Sequence, residues 1–163
     1  MKTPAVVKQW SSIPNRIRKS IRGLRAHDLA IRGGAEGWSI AEYVHHLVED
    51  NFIACHVVLV ALGKPGGTYD WSWVHPSKAW MKRLSYDRAP VESALQLFEA
   101  LTKHISSLIA HNPRNVQHSV GILDTPGGVP RKTTVAQLLR AEVGHATHHL
   151  GDIESAKRSR RNN

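Results

Sequence analysis

The chain has 163 residues, a hydrophobic fraction of 41% and a charged fraction of 21%, which predict one globular domain with a core of its own. Its only cysteine, Cys55, excludes an internal disulfide, so we expect a reducing, cytoplasmic location. No apolar run reaches the roughly 20 residues that a membrane span needs, so we expect no membrane partner. The net charge of +9 leaves open a solvated surface, an anionic ligand or nucleic acid.

The basic residues concentrate in residues 16–32 and at the C-terminus. We therefore divide the chain into a helical domain, residues 1–156, and a basic tail, residues 157–163, for which a solvated surface is the favoured interpretation. Nucleic-acid binding is disfavoured, because the lysines and arginines are not interleaved with aromatic residues on one element and no nucleic-acid motif is readable.

Helical periodicity begins early in the chain. Apolar residues recur at spacings of three and four over residues 3–22, which indicates a first helix that is either kinked at Pro14 or restarted there. The glycines of residues 32–37 then predict a loop.

Ser39 predicts the start of a second helix, because Glu42 follows three residues later in the capping-box arrangement. The helix should continue to about Leu62, where Gly63 and a following proline end it. Toward its C-terminal end it is apolar nearly all round, which predicts a second packing partner; a homodimer is the first choice.

The remaining elements complete an all-α prediction. A short helix is expected at about 76–84, a third long amphipathic helix over 90–110, and the only possible strand over 119–123. A last helix should begin after a cap at Thr133 or Thr134. Four long helices with extended connections predict a four-helix bundle.

The last helix carries the pair His145 and His149. Four residues apart, they share one helical face with Cβ atoms about 5–6 Å apart, close enough for two imidazoles to bind one metal ion. A helical wheel places both at the edge of the buried face and directs His148 to solvent. By itself, the pair is equally consistent with two ordinary core-edge histidines.

Two short motifs, one after the other along the chain, favour the metal-site interpretation. The first has a Trp-Ser start, a Glu three residues after the Ser and a His-Leu four residues beyond the Glu: Trp38-Ser39, Glu42 and His46-Leu47. The second has two histidines four apart, one further residue and a glycine: His145, His149, Leu150 and Gly151. With these motifs the chain resembles the DinB/YfiT-like superfamily of metal-dependent four-helix-bundle proteins, and the order of its elements agrees over most of its length.

This resemblance implies a metal site of three histidines, His46, His145 and His149. The register of the first motif selects His46 over His45, although His46 lies about 140° from the densest apolar arc of its helix. Asp152 follows Gly151 where the family often has Gln. Whether the residue at this position makes a hydrogen bond to a ligand is therefore undecided from the sequence. Glu42 and Glu142 are candidates for accepting hydrogen bonds from the ligand ring N–H groups, but a helix cap or a surface position is the favoured interpretation of each.

Three imidazoles with an open position form a site of the catalytic type, suited to a divalent transition metal, with Zn or Ni preferred. The resemblance further implies a low-molecular-weight thiol as a possible cofactor, since family members of assigned activity are mostly thiol-dependent transferases or isomerases. The expected function is activation of a thiol or water toward a small-molecule substrate, as a transferase, isomerase or hydrolase. A non-enzymatic metal-binding, stress-associated bundle protein is the alternative. No catalytic or substrate-binding residue is assigned; tryptophans 71, 73 and 80 either roof the pocket or pack between helices.

Overall fold

The structure is a computed structural model that describes residues 4–74 and 77–161, with side chains described to Ser159. The helices are α1 Ala5–Ser11, α2 Ile13–Ser20, α3 Ala26–Leu29, α4 Ile40–Gly63, α5 Lys78–Arg83, α6 Val91–His111 and α7 Val135–Arg161, with a 3-10 turn at Pro113–Gln117. The strands are β1 Arg32–Gly33, β2 Trp38–Ser39, β3 Thr68–Asp70, β4 Ser119–Leu123 and β5 Arg131–Thr134. The predicted all-α four-helix bundle is confirmed, with two small sheets beside it.

The first predicted helix is two helices, α1 and α2, separated at Ser12. Pro14 lies in the first turn of α2, where its missing N–H and fixed φ are tolerated, so the restart is the alternative that the fold uses. Both short helices pack against α6 and α7 and bury Trp10, whose indole N–H donates to Asn51 Oδ1 at 2.8 Å.

The central helix is α4, which packs against both α6 and α7. By length and composition it could cross a membrane, which differs from the expectation that no segment would be long enough. More than half of its apolar stretch is buried within the chain, as in a core helix. Of the three residues that made it apolar nearly all round, Ile53 and Val57 are buried within the chain and Val60 is half-buried. Most of the pattern behind the predicted homodimer is thus satisfied within one chain, and the homodimer stays a prediction.

The predictions for the connections were partly wrong. Residues 32–37 were expected to form a loop, but β1 and β2 flank the turn as an antiparallel pair. Residues 119–123, the only possible strand expected in the link before the last helix, form β4, which lies between β3, parallel to it, and β5, antiparallel to it. Strands of three or four residues have too few positions to show an alternating pattern, so β3 and β5 gave no readable signal.

The remaining helix boundaries follow the predicted signals. Helix α5 falls inside the predicted 76–84 range, of which residue 76 lies outside the described residues. Helix α6 begins directly after Pro90, and α7 begins after Thr134, whose hydroxyl accepts from Gln137 N at 3.2 Å. Helix α7 continues to Arg161, into the segment assigned to the basic tail; the division at residue 156 remains a proposal.

Candidate metal centre

Helix α4 fixes the position of His46 through its first turn. The Ser39 hydroxyl accepts from Glu42 N at 3.1 Å, and the Glu42 carboxylate accepts from Ser39 N at 2.6 Å, which completes the predicted capping box. Arg32, from β1, donates to the same carboxylate at 2.8 Å. His46 follows one turn later on the same face, and its side chain is buried.

Three imidazole rings meet between α4 and α7. The Nε2 atoms of His46 and His145 are 3.1 Å apart, across 99 residues of sequence. The ring of His149 lies 5.1 Å from that of His46 and 4.6 Å from that of His145, measured between centroids. One ring nitrogen from each lies within 4.8 Å of the other two, so the three histidines of the sequence prediction share one small volume.

Asp50 orients His145. Its Oδ2 accepts a hydrogen bond from His145 Nδ1 at 2.9 Å. Because a carboxylate can only accept, the proton sits on Nδ1 and the lone pair of Nε2 faces the other two histidines. Asp50 is four residues after His46 on α4, so one face of this helix supplies both a ring of the cluster and the acceptor for a second ring.

Asp152 has the same relation to His149. Its Oδ2 accepts from His149 Nδ1 at 2.9 Å, while its Oδ1 accepts from the backbone N–H of Ala35 at 3.0 Å. Gly34 makes this approach possible: its φ is +73°, and a Cβ there would lie 2.6 Å from both Asp152 Cβ and the Tyr43 hydroxyl. The glycine-rich turn therefore holds the carboxylate that orients a histidine, which settles the open question about Asp152.

Aromatic rings enclose the cluster on one side. The indole of Trp38 lies 5.0 Å from the ring of His46 and 5.8 Å from that of His149, and the Tyr43 ring lies 5.3 Å from His149. His145 is the most open of the three histidines, with 30% of its side chain exposed. The cluster is thus covered on the Trp38 side and accessible from the His145 side.

Burial keeps two of the cluster histidines, His46 and His149, neutral. The pKa of His46 is lowered to about 4, chiefly by burial, with His145 and His149 acting in the same direction and Asp50 in the opposite one. Burial also lowers the pKa of His149, against the hydrogen bond to Asp152. At neutral pH both rings therefore carry lone pairs that a cation can use.

Behind His145, Asp50 is hydrogen-bonded to a second carboxyl group, that of Glu142. Burial raises the pKa of Glu142 well above its ordinary value, and the charge of Asp50 raises it further. Burial also acts to raise the pKa of Asp50, but hydrogen bonds from His145 and Glu142 outweigh it and leave that pKa lowered. These shifts favour the neutral form of Glu142 and the ionised form of Asp50.

The donor set fits a divalent transition metal. Three nitrogens on a tetrahedral ion at about 2.0–2.1 Å are about 3.3 Å from one another, close to the 3.1 Å between two of them here. Within the described residues, two other groups could hold a metal, namely Asp50, Glu142 and His145, and His148, His149 and Asp152. Each of these includes a carboxylate that already accepts a ring N–H group, whereas in the three-histidine group the Nε2 atoms of His46 and His145 face each other.

The adjacent histidines point elsewhere. His45 is buried, but its Nε2–H donates to the Ala89 carbonyl at 3.1 Å and its ring stacks on Tyr86 at 4.7 Å. His148 has 64% of its side chain exposed, as the helical wheel predicted. The wheel was misleading for His46, because α4 is buried on nearly all sides near its N-terminus and the densest apolar arc does not mark the site.

The other residues considered for the site have different roles in the structure. Glu42 is a helix cap, whereas Glu142 is buried and not the surface residue that was the alternative for it; neither holds a ligand ring. The ring-orienting acceptors are Asp50, which sequence reasoning missed, and Asp152. Their helical spacings from His46 and His149, four and three residues, were the signal that could have found them. Cys55 is buried, and burial raises its thiol pKa to about 12, as expected for a packed residue.

Trp38, identified from the sequence only as a motif residue, is the tryptophan that contacts the cluster. In the described part of the chain, none of the tryptophans at 71, 73 and 80 has a ring contact with the three histidines. Trp73 is largely exposed, and the Trp80 indole donates to Glu49 at 3.0 Å. The arginines near the N-terminus mostly have acceptors of their own, since Arg18 pairs with Glu92 and Glu99.

Comparison with known proteins shows the family of the chain and its fold. The family model described as the DinB superfamily matches residues 9–153, which include all three histidines. The chain belongs to the DinB superfamily. Among curated relatives, a protein of Geobacillus thermodenitrificans named "Putative metal-dependent hydrolase" is 25% identical over 93% of this chain and 84% of its own length. A relative from Geobacillus kaustophilus with the same kind of name is 23% identical over 93% and 84%.

Solved structures share the fold. YfiT from Bacillus subtilis, described as a probable metal-dependent hydrolase with an unusual four-helix bundle topology, superposes with a TM-score of 0.77 at 18% identity, covering 94% of this chain and 85% of its own. A mycothiol-dependent maleylpyruvate isomerase superposes with a TM-score of 0.67 at 10% identity, covering 95% of this chain and 62% of its own. At these identities the likeness concerns the fold alone.

Proposed function

We propose that this protein is a metal-dependent enzyme in which His46, His145 and His149 bind one divalent transition metal, with Zn or Ni preferred. The observation that carries the proposal is the convergence of three imidazoles, two of which have their Nδ1–H groups held by carboxylates so that Nε2 is free. Such a metal supplies Lewis-acid chemistry: it polarises a carbonyl and lowers the pKa of a water or thiol that it binds.

The residues of this chain prepare the site for that chemistry. Asp50 and Asp152 orient two rings, and burial keeps His46 and His149 neutral at physiological pH. Trp38 shields the cluster from water on one side, while the partly exposed His145 marks the side from which a small molecule can enter. Three protein ligands leave a coordination position for that molecule, as in catalytic sites.

Hydrolysis of a small-molecule substrate is the first reaction class, supported by the names of the curated relatives. Thiol-dependent transfer or isomerisation is the second, supported by the fold shared with the mycothiol-dependent isomerase. Both use one three-histidine site and differ in whether water or a low-molecular-weight thiol is activated.

A paired assay tests the proposal. Protein loaded with Zn or Ni is screened against ester, amide and electrophilic substrates, with and without small thiols, beside His145→Ala and His148→Ala variants. We expect activity in the native protein and in His148→Ala, and loss of both metal and activity in His145→Ala. Activity that persists in His145→Ala without bound metal would overturn the proposal.

A further inference from the structure

A cleft of about 290 Å³ lies between α4 and α6. Its apolar walls are Val48, Phe52, Ala94 and Leu97. Phe52 and Leu97 have 39% and 46% of their surface exposed, so the cleft leaves large apolar side chains in contact with solvent. The volume falls at the small end of ligand-binding pockets, which suits a molecule of one ring with a short chain.

Helix α4 separates this cleft from the histidine cluster. His45, Glu49 and Phe52 line the cleft and are spaced by four and three residues, so they share one face of the helix. His46 and Asp50 each follow one position later, about 100° around the helix, and contact His145. The cleft is therefore distinct from the proposed metal centre.

Glu49 contributes a half-buried carboxylate to the cleft wall. Its hydrogen-bond donors are neutral, namely the Trp80 indole N–H at 3.0 Å and the Tyr86 hydroxyl. Within the described residues, no lysine, arginine or histidine nitrogen lies inside 4.0 Å of it, although the chain has 22 lysines and arginines. Burial raises the pKa of Glu49, the two donors oppose this, and the charge of Asp50 raises the pKa further. A cation in the cleft would therefore relieve an unfavourable charge.

The other polar and aromatic groups of the cleft also suit a cation. The His45 Nε2–H donates to the Ala89 carbonyl at 3.1 Å, which leaves Nδ1 of the neutral ring as an acceptor. The rings of Phe52 and Tyr86 line the same cleft, and aromatic faces attract ammonium groups. The cleft thus combines apolar walls with a carboxylate that has no cationic partner in the described part of the chain.

We propose that this cleft binds a small amine, whose ammonium group pairs with Glu49 and whose apolar part lies against Phe52 and Leu97. A neutral compound of the same shape keeps the apolar contacts and loses the ion pair, and an anion of that shape is repelled. The inference stands apart from the proposed function, because none of these residues is a proposed metal ligand.

Titrations of the isotope-labelled native protein, followed by amide NMR shifts, test the assignment. The probes are 2-phenylethylamine, its neutral isostere 2-phenylethanol, and 3-phenylpropionate as the anion. We expect the amine to bind about three- to tenfold more tightly than the alcohol, with the gap shrinking as salt is raised, and the anion to bind most weakly. The gap should be the same with zinc bound and after chelator treatment. Equal binding of amine and alcohol, no saturable binding of the amine, or a gap that requires zinc would overturn the proposal.

Three variants assign the effect to the cleft. Glu49→Gln keeps an acceptor for Trp80 but removes the charge, and should bring the dissociation constants of amine and alcohol within about twofold of each other. Leu97→Lys places an ammonium group on the cleft wall at an exposed position, and should reduce the gap in the same way. Glu99→Gln makes the matched change on α6 at a residue that pairs with Arg18 outside the cleft, and should keep the native gap. A native gap in both Glu49→Gln and Leu97→Lys would overturn the assignment.

Discussion

The two helices that form the proposed metal centre each carry histidines facing in different directions. On α4, His46 faces the cluster and its neighbour His45 faces Tyr86; on α7, His149 faces the cluster and its neighbour His148 faces solvent. Neighbouring residues on a helix are separated by about 100°, so each pair spans two different environments. Register, rather than histidine content, decides which rings can share a metal.

The inward-facing and outward-facing histidines differ in the group that accepts the hydrogen bond from the ring N–H. The inward-facing His145 and His149 donate to the carboxylates of Asp50 and Asp152, which leaves their Nε2 atoms available. The inward-facing rings of α4 and α7 are therefore the proposed metal ligands, whereas His45 uses its own Nε2 on a backbone carbonyl.

The largest expected effect separates the inward from the outward histidines. His46→Ala and His149→Ala should weaken zinc or nickel binding by more than about 100-fold, the upper range for loss of a residue that only orients a ligand. His45→Ala and His148→Ala should keep native affinity. Competition titration with a chromophoric chelator measures both. Metal loss in His45→Ala with retention in His46→Ala would mean that the register on α4 is wrong.

The next effect concerns the carboxylates behind the rings. Asp152→Asn should weaken metal binding by about 10–100-fold, because an amide orients His149 without raising its basicity. The same competition titration applies, with Asp124→Asn as the control, since Asp124 pairs with Arg131 on the surface. Equal affinities in these two variants would show that Asp152 has no part in metal binding.

The glycine-rich turn gives a smaller effect on stability. Gly34→Ala should lower the free energy of unfolding by about 1–3 kcal/mol, because it adds a left-handed alanine and a clash with Asp152 and Tyr43. Gly37→Ala is the matched control: its φ is also positive, at +65°, but nothing lies within 4 Å of the added Cβ. Urea unfolding should therefore show a smaller loss in Gly37→Ala, and only Gly34→Ala should also weaken metal binding.

The smallest effect is a pH dependence from Glu142. Because its folded pKa is raised above the ordinary 4.5, its contribution to stability is complete below that value and is lost as pH rises toward the folded pKa. Glu142→Gln keeps a donor to Asp50 without a titrating group. In chelator-treated protein, this variant should gain stability relative to native protein as the pH rises from 5 to 7, measured by urea unfolding. A constant difference across this range would contradict a raised pKa of Glu142.

Much of the fold and of the cluster could be read from the sequence. Ser39 and Glu42 gave the start of α4, and the spacing of His145 and His149 gave one face of α7. His46 came from motif register, because helical periodicity describes amphipathic helices and α4 is buried on nearly all sides at this point.

What could not be read depends on tertiary contact. Asp50 and Glu142 share a hydrogen bond only because α4 and α7 pack together, and the role of Asp152 depends on a turn more than 100 residues earlier that brings Ala35 N–H to it. A carboxylate on a helix looks the same in sequence whether it orients a ligand or faces solvent. Strands β3 and β5 are too short to show a pattern of their own, and pairing across the chain defines them.

X-ray absorption at the metal edge tests the central claim most directly. For the zinc- or nickel-loaded native protein, the account predicts three imidazole nitrogens at about 2.0–2.1 Å, recognisable by the outer-shell scattering of the rings, and two in His46→Ala metallated at high concentration. Three rings that persist in His46→Ala, or a native shell of carboxylate oxygens with one imidazole, as Asp50, Glu142 and His145 would give, would contradict it.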